Sequence, residues 1–189
     1  SSGNSNLISV SDVDAGSGLV QITLSVTNGT LTLNGTAGLT LVSGGSGTGA
    51  MQYSGTLASI NAALNGMFYT PTANFNGGSG MGIVISDQGN TGGAAQSDTK
   101  GLGITVNPVN DVPVIGGAVA AQAVNDNASV NLFSTLTITD PDLDPLTVTV
   151  ALDVAAKGVL TAASLAASGF STADGGLTYT HAAFANAAA

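Results

Sequence analysis

The side chains able to do chemistry in these 189 residues are almost all aspartates, and most of them are grouped. Asp12 and Asp14 stand one residue apart, and Asp140 and Asp142 repeat that spacing, with Asp144 two positions further on. Asp87 opens the stretch Asp87-Gln88-Gly89-Asn90, and Asn110-Asp111 lies between two prolines in Val106-Asn107-Pro108-Val109-Asn110-Asp111-Val112-Pro113. Carboxylate and carboxamide oxygens are hard donors. Closely spaced sets of them suit calcium, which takes six to eight oxygens in adaptable geometry. Without a cation, several carboxylates within a few ångströms would repel one another. The same dipeptides also form turns well, because Asp and Asn side chains bond to backbone N–H groups two residues on. Spacing alone leaves both roles open.

Other chemistry has less to stand on. His181, the single histidine, sits in Tyr-Thr-His-Ala-Ala-Phe and reads as a strand or loop residue rather than a base. No Gly-x-Ser-x-Gly or His-Glu-x-x-His motif is present. The glycine-rich stretches 44–49 and 77–82 lack the Lys-Ser/Thr ending of a phosphate loop and read as flexible turns. With no cysteine there is no thiol nucleophile, disulfide or zinc-thiolate site. The expectation is a protein that is not an enzyme.

Charge narrows the partners. All 11 acids are Asp, the only basic residues are Lys100 and Lys157, and the net charge is −9. Nothing is available to neutralise phosphates, so nucleic acid is not expected, nor is docking on anionic membranes. Mean hydropathy is +0.39, yet no apolar run approaches the ~20 residues of a spanning helix, so membrane insertion is not expected either. Charged residues make up 7% of the chain, so Thr, Ser, Asn and Gly must supply most of the surface, a composition that suits strands and turns.

The elements that would position these residues are strands. Residues 19–26 alternate apolar and polar, as a strand with one buried face should. Asn28-Gly29 follows and alternation resumes in Thr30-Leu31-Thr32-Leu33, which predicts a tight type I′ hairpin. Ile22, Leu24, Val26, Leu31 and Leu33 are the expected core residues of this pair, with at most one exception. Further strands are expected at 39–42, 51–53, 67–69, 82–86, 101–106, 129–139 and 146–152. One helix fits residues 57–64, with Thr56 as N-cap, Leu57, Ile60 and Leu64 on one face, and Asn65-Gly66 as the stop.

The two halves of the chain resemble each other. Asp12-Val13-Asp14 matches Asp140-Pro141-Asp142, Gly29-Thr30-Leu31-Thr32 matches Gly158-Val159-Leu160-Thr161, and Tyr69-Thr70 matches Tyr179-Thr180. The step from Asp12 to Asp140 is almost the same as that from Gly29 to Gly158, but the step from Tyr69 to Tyr179 is markedly shorter. The second copy is therefore expected to carry a deletion between Gly158 and Tyr179, where the first has its glycine-rich loop and short helix. On this register the first copy wants its opening strand and the second its closing strands.

Three motifs together are similar to the cadherin-like repeats of large bacterial surface adhesins. They are the Asp-x-Asp loops, the Asp87-Gln88-Gly89-Asn90 loop and, most specifically, the 106–113 stretch, a close match to the linker between repeats of that family. The resemblance implies an all-β chain of two tandem immunoglobulin-like (cadherin-like) β-sandwich repeats, both incomplete as given, at 1–106 and 114–189. A short calcium-binding linker at 107–113 would join them. On its topology both acidic loops of a repeat fall at the pole facing the upstream linker, so the implied calcium ligands are Asp12, Asp14 and Asp87 in one repeat and Asn110, Asp111, Asp140, Asp142 and Asp144 in the other. The family usually adds a Glu from the preceding repeat. This chain has none, and Asp126 stands roughly in its place. The implied role is a secreted or cell-surface, calcium-dependent adhesin stalk with an adhesive ligand of unknown identity, its partners being neighbouring repeats. The alternative is a subunit of a polymerised extracellular filament or sheath, its partners being neighbouring subunits.

Overall fold

A computed structural model describes residues 8–90, 93–153, 158–174 and 177–184. The chain divides into two compact units, Ser1–Pro108 and Val109–Ala189, and the division falls inside the expected linker. Strands dominate both, and every sheet is antiparallel.

The first unit contains, in order, β1 (Val20–Val26), β2 (Gly29–Thr32), β3 (Leu39–Gly44), β4 (Ala50–Gly55), α1 (Leu57–Leu64), β5 (Phe68–Pro71), β6 (Gly77–Ser86) and β7 (Ser97–Val106). Five of the strands form one sheet in the order β3-β4-β1-β6-β7, and β2 pairs with β5 in a second. Central β1 has a partner on each edge. Its alternation puts Val20, Ile22 and Leu24 into the core at 0%, 3% and 0% exposure. Leu31, Leu33, Met51, Tyr53, Met81 and Ile83 join them, with Ile60, Ala63 and Leu64 of α1. Of the five expected core residues four are buried, and Val26 is half-buried against the same cluster.

Helix α1 forms where its capping residues predict. Thr56 Oγ1 accepts the Ser59 N–H at 3.2 Å, and the backbone stops being helical at Asn65. Its Asn61 has a longer reach. The carboxamide accepts the Val10 N–H and donates to the Val10 carbonyl, both at 2.8 Å, fastening the segment that leads into Asp12.

Asn28-Gly29 does not make the expected hairpin. β1 pairs with β4 and β6, while β2 pairs with β5, so the chain crosses from one sheet to the other here. A type I′ turn needs positive φ at both central residues, but only Asn28 has it, at 54°. Glycine at position 29 meets a different demand, close approach: a Cβ there would collide with the Thr70 carbonyl oxygen and the Tyr69 ring. The Asn28 carbonyl is held from the β5 side, by the Tyr69 hydroxyl at 2.7 Å and the Thr72 N–H at 2.9 Å.

The glycines at 77–82 are not a turn either. They are the first half of β6, laddered against β7 with Gly80 opposite Gly103 and Gly82 opposite Gly101. Glycine is a poor strand residue, and these glycines are held extended by a ten-rung register with β7.

The second unit contains β8 (Val114–Gly116), β9 (Thr137–Thr139), β10 (Leu146–Ala151), α2 (Ala162–Ser168), β11 (Ser171–Thr172) and β12 (Thr178–Phe184). β8 pairs with β9, and the other sheet runs β10-β12-β11. The strand expected over 129–139 is confined to its last three residues, after a turn closed by Leu136 N–H donating to the Phe133 carbonyl. Helix α2 was not expected. Thr161 caps it by accepting the Ser164 N–H, and Gly169 ends it at φ 75°.

The two units also register differently from the sequence match. Tyr53 lies opposite Ile22 on β1, and Tyr179 lies opposite Val150 on β10. Each tyrosine hydroxyl accepts a backbone N–H from a loop, Ser46 at 3.0 Å in one case and Leu160 at 3.1 Å in the other. The order β10-β12-β11 likewise repeats β1-β4-β3. Tyr179 therefore answers Tyr53 and not Tyr69. The step from Ile22 to Val150 equals the step from Asp12 to Asp140, and the step from Tyr53 to Tyr179 is close to it. With that pairing the expected deletion all but disappears, because Gly29 to Tyr53 and Gly158 to Tyr179 are stretches of nearly equal length.

Candidate cation site

Asp12 follows the segment fastened by Asn61. Its Oδ1 accepts the N–H of Asp14 at 3.1 Å and of Ala15 at 3.2 Å, forming an Asx turn. Ala15 is buried, and its carbonyl accepts the Gly18 N–H at 2.7 Å, which leads the chain into β1. Val13 and Asp14 project into solvent at the tip.

Asp87 stands at the end of β6. Its Oδ1 accepts the N–H of Gly89 at 2.9 Å and of Gln96 at 2.7 Å, and its own N–H donates to the Gln96 carbonyl. One carboxylate thereby closes the β6–β7 connection. From the same loop Asn90 Nδ2 donates to the Leu19 carbonyl at 2.7 Å, and its side chain lies so close to Gly18 that a Cβ there would stand 2.6 Å from Asn90 Cγ. The Asp12 loop and the Asp87 loop, far apart in sequence, therefore lie at the same end of the first unit.

The second unit repeats the first of these turns. Asp140 Oδ1 accepts the Asp142 N–H at 3.0 Å, and the Leu143 N–H donates to the Asp140 carbonyl at 3.1 Å. Asp142 then reaches back to the segment that enters the unit, its Oδ2 accepting the Asp111 N–H at 2.6 Å. Asn110 Nδ2 donates to the Asp111 carbonyl. Asp111, Asp142 and Asp140 thus form a chain of contacts from the entering segment to the turn, while Asp144 is exposed beyond them. Asp140 is 6% exposed, a burial that a carboxylate tolerates only with hydrogen bonds in place of water.

The chemistry of these donors fits calcium, since all are oxygens and most are charged. Their arrangement fits less fully. Oδ1 of Asp12, Asp87 and Asp140 already receives N–H groups, and among the described residues no three acidic, histidine or cysteine side chains are grouped closely enough to hold a metal. A calcium ion at either turn would need main-chain carbonyls or water to complete its shell.

Two polar side chains outside the expected site residues anchor loops, and of these only Asn61 adjoins an aspartate turn. Asn61 holds the approach to Asp12 from a helix far along the chain, and no local pattern marks it. Asp174 closes the turn between β11 and β12 by accepting the N–H of Thr178 at 2.9 Å and of Leu177 at 3.0 Å and the Thr172 hydroxyl at 3.0 Å. These bonds, the Thr178 N–H first, hold its carboxyl well below the usual carboxylate range. No protein-family model, curated protein or solved structure matches the chain.

Proposed function

We propose that the chain is part of a secreted or cell-surface repeat protein, a calcium-binding adhesin stalk of cadherin-like character whose two units are variants of one immunoglobulin-like β-sandwich. One observation carries the reading. The same aspartate turn recurs in both units, in front of the same strand; in one unit the Asp87–Asn90 loop bonds the chain just after the turn, at Leu19, and in the other Asp142 of the turn accepts the Asp111 N–H. A turn former alone would not need Asp at both ends of each turn, since only the first carboxylate closes it. The second acids, Asp14 and Asp142, bring a further carboxylate beside each turn, and Asp142 also accepts the Asp111 N–H. Asp12, Asp14 and Asp87 would serve one ion, and Asp111, Asp140 and Asp142, with Asn110 and Asp144 at the margin, another. The role is mechanical and adhesive, not enzymatic.

Affinity should lie in the ~10⁻⁴–10⁻³ M range of extracellular calcium modules. Titration calorimetry of the whole chain with calcium, repeated with Asp14→Asn and Asp142→Asn together, tests this. Saturable heat that the double variant loses is the expected result. No heat and no shift in melting at 10 mM calcium would sink it.

A further inference from the structure

The first unit carries four Asn-Gly dipeptides, at 28–29, 34–35, 65–66 and 76–77. Asparagine before glycine is prone to react with its own main chain, because glycine has no Cβ to keep its nitrogen from the carboxamide carbon. All four asparagines are exposed, so access to water does not separate them. What separates them is whether the peptide joining the two residues is free to turn and bring nitrogen and carboxamide together.

Three of the four peptides are held. The Asn28 carbonyl accepts the Tyr69 hydroxyl and the Thr72 N–H, and Gly29 has the Tyr69 ring and the Thr70 carbonyl against it. The peptide between Asn65 and Gly66 is the middle of a turn closed by the Met67 N–H, which donates to the Leu64 carbonyl at 3.1 Å. The Asn65 N–H is itself tied to the Asn61 carbonyl at 3.0 Å. Gly77 is a rung of the β6–β7 ladder, opposite Val106.

Asn34-Gly35 is different. The flanks of its loop are fastened: Leu33 N–H donates to Ser46 Oγ, Asn34 N–H to the Ala63 carbonyl and Leu39 N–H to the Thr36 carbonyl, each at 3.0 Å. Between these anchors the Asn34 carbonyl and the Gly35 N–H have no partner among the described residues, and a Cβ on Gly35 would meet nothing within 4 Å.

We infer that Asn34 is a site of spontaneous modification, converting to an aspartyl or isoaspartyl residue ahead of the other three. Hydroxide takes the Gly35 amide proton, and the nitrogen attacks Asn34 Cγ. The new C–N bond closes a succinimide ring as ammonia leaves. Water then opens the ring at either carbonyl, restoring the ordinary main chain or routing it through the side-chain carbon. Either product gains a carboxylate, and it arises at the unfavourable end of a helix. The Asn34 N–H bonds Ala63 in the last turn of α1, and its side chain lies beside Gly66, where a Cβ would stand 3.2 Å from Asn34 Cγ. Negative charge next to the carbonyl end of a helix is destabilising. Modification should therefore loosen the β2–β3 connection from α1.

The test holds the whole chain in mildly alkaline buffer and follows aspartate and isoaspartate at each of the four positions by peptide mass spectrometry. Folded chain is compared with chain unfolded in urea. In the folded chain Asn34 should convert several-fold faster than the other three, and in urea the four rates should converge. Equal rates in the folded chain, or a faster rate at Asn28, Asn65 or Asn76, overturn the inference. So does an Asn34 that keeps its amide in the folded chain while the unfolded chain converts. Asn34→Gln should abolish the fast phase of ammonia release, and Asn34→Asp should melt below Asn34→Gln. An Asn34→Asp chain that melts no lower would overturn the loosening of α1.

Discussion

The two units solve the same local problem and differ in what surrounds the solution. Each has an aspartate turn, an alternating strand after it, and a hairpin whose buried tyrosine faces that strand and takes an N–H from a loop. In the first unit this arrangement is closed by β6 and β7, by the β2–β5 pair and by α1, and thirteen apolar residues form one buried cluster. In the second, Tyr179 is the single buried large apolar side chain among the described residues, and Val114, Ile115, Val159 and Leu143 are each more than half exposed. Turn geometry and the tyrosine-bearing hairpin therefore recur in both units, while burial depends on strands far away in the chain.

The sharpest way to break this comparison is to truncate equivalent side chains. Leu24→Ala should destabilise the chain by about 2–5 kcal/mol in urea denaturation, because it opens a cavity in a packed cluster. Leu152→Ala, at the equivalent position, should cost under about 2 kcal/mol, since a half-buried side chain leaves little cavity behind. Equal losses would show that the second unit is packed as well as the first. Calcium offers the next largest effect. At a concentration a hundredfold above Kd, each site should add roughly 2.7 kcal/mol of stability, read as a rise in melting temperature that a chelator reverses. A rise in only one unit's exchange protection would locate the single competent turn.

Asn61→Ala asks whether the first turn depends on its distant clamp. Removing both bonds to Val10 should cost about 1–3 kcal/mol and increase exchange at Val10, with no effect on the second unit. The smallest effect belongs to Asp174. Its carboxyl is held below its ordinary value in the folded chain, so the stability it contributes is fully present above about pH 4 and falls away as acid carries the group through its depressed value. Melting the chain between pH 5 and pH 2 should show this decline, and Asp174→Asn, which keeps an acceptor oxygen, should flatten it. An unchanged acid profile would mean that the β11–β12 turn contributes nothing to the second unit.

What was legible in the sequence was what neighbours in the chain decide. The faces of β1, the caps of α1 and the aspartate turns all follow from residues within a few positions, and they stand where periodicity and side-chain chemistry put them. Asn28-Gly29 misled because the dipeptide reports a bend and not which strand lies on the far side. The reason for glycine there, the Tyr69 ring and the Thr70 carbonyl, comes from a strand that the chain reaches only after α1. Helix α2 was hidden because Ala162-Ala163-Ser164-Leu165-Ala166-Ala167-Ser168 offers one large apolar residue and no stripe. With α2 occupying the stretch after Leu160, Tyr179 answers Tyr53 rather than Tyr69, a correspondence that sequence similarity around the tyrosines does not reveal. At the acidic turns the residue types were legible; that Asp111 meets Asp142 while Asp144 stays outside was not, since it depends on how the entering segment lies against the turn.

The glycine-paired half of the β6–β7 ladder carries a consequence for the order in which the first unit assembles. Glycine gives up more backbone freedom on ordering than any other residue, about 0.5–1 kcal/mol relative to alanine at each strand position, and Gly80, Gly82, Gly101 and Gly103 stand two against two. A hairpin with so little side chain across those rungs is a poor nucleus. It should zip only after β1 and β4 have met and presented an apolar edge, and under tension along the chain it should be the first part of the sheet to peel. In a tethered protein that sequence of events would leave β1, its tyrosine partner and the aspartate turn intact while the glycine arm extends and recoils.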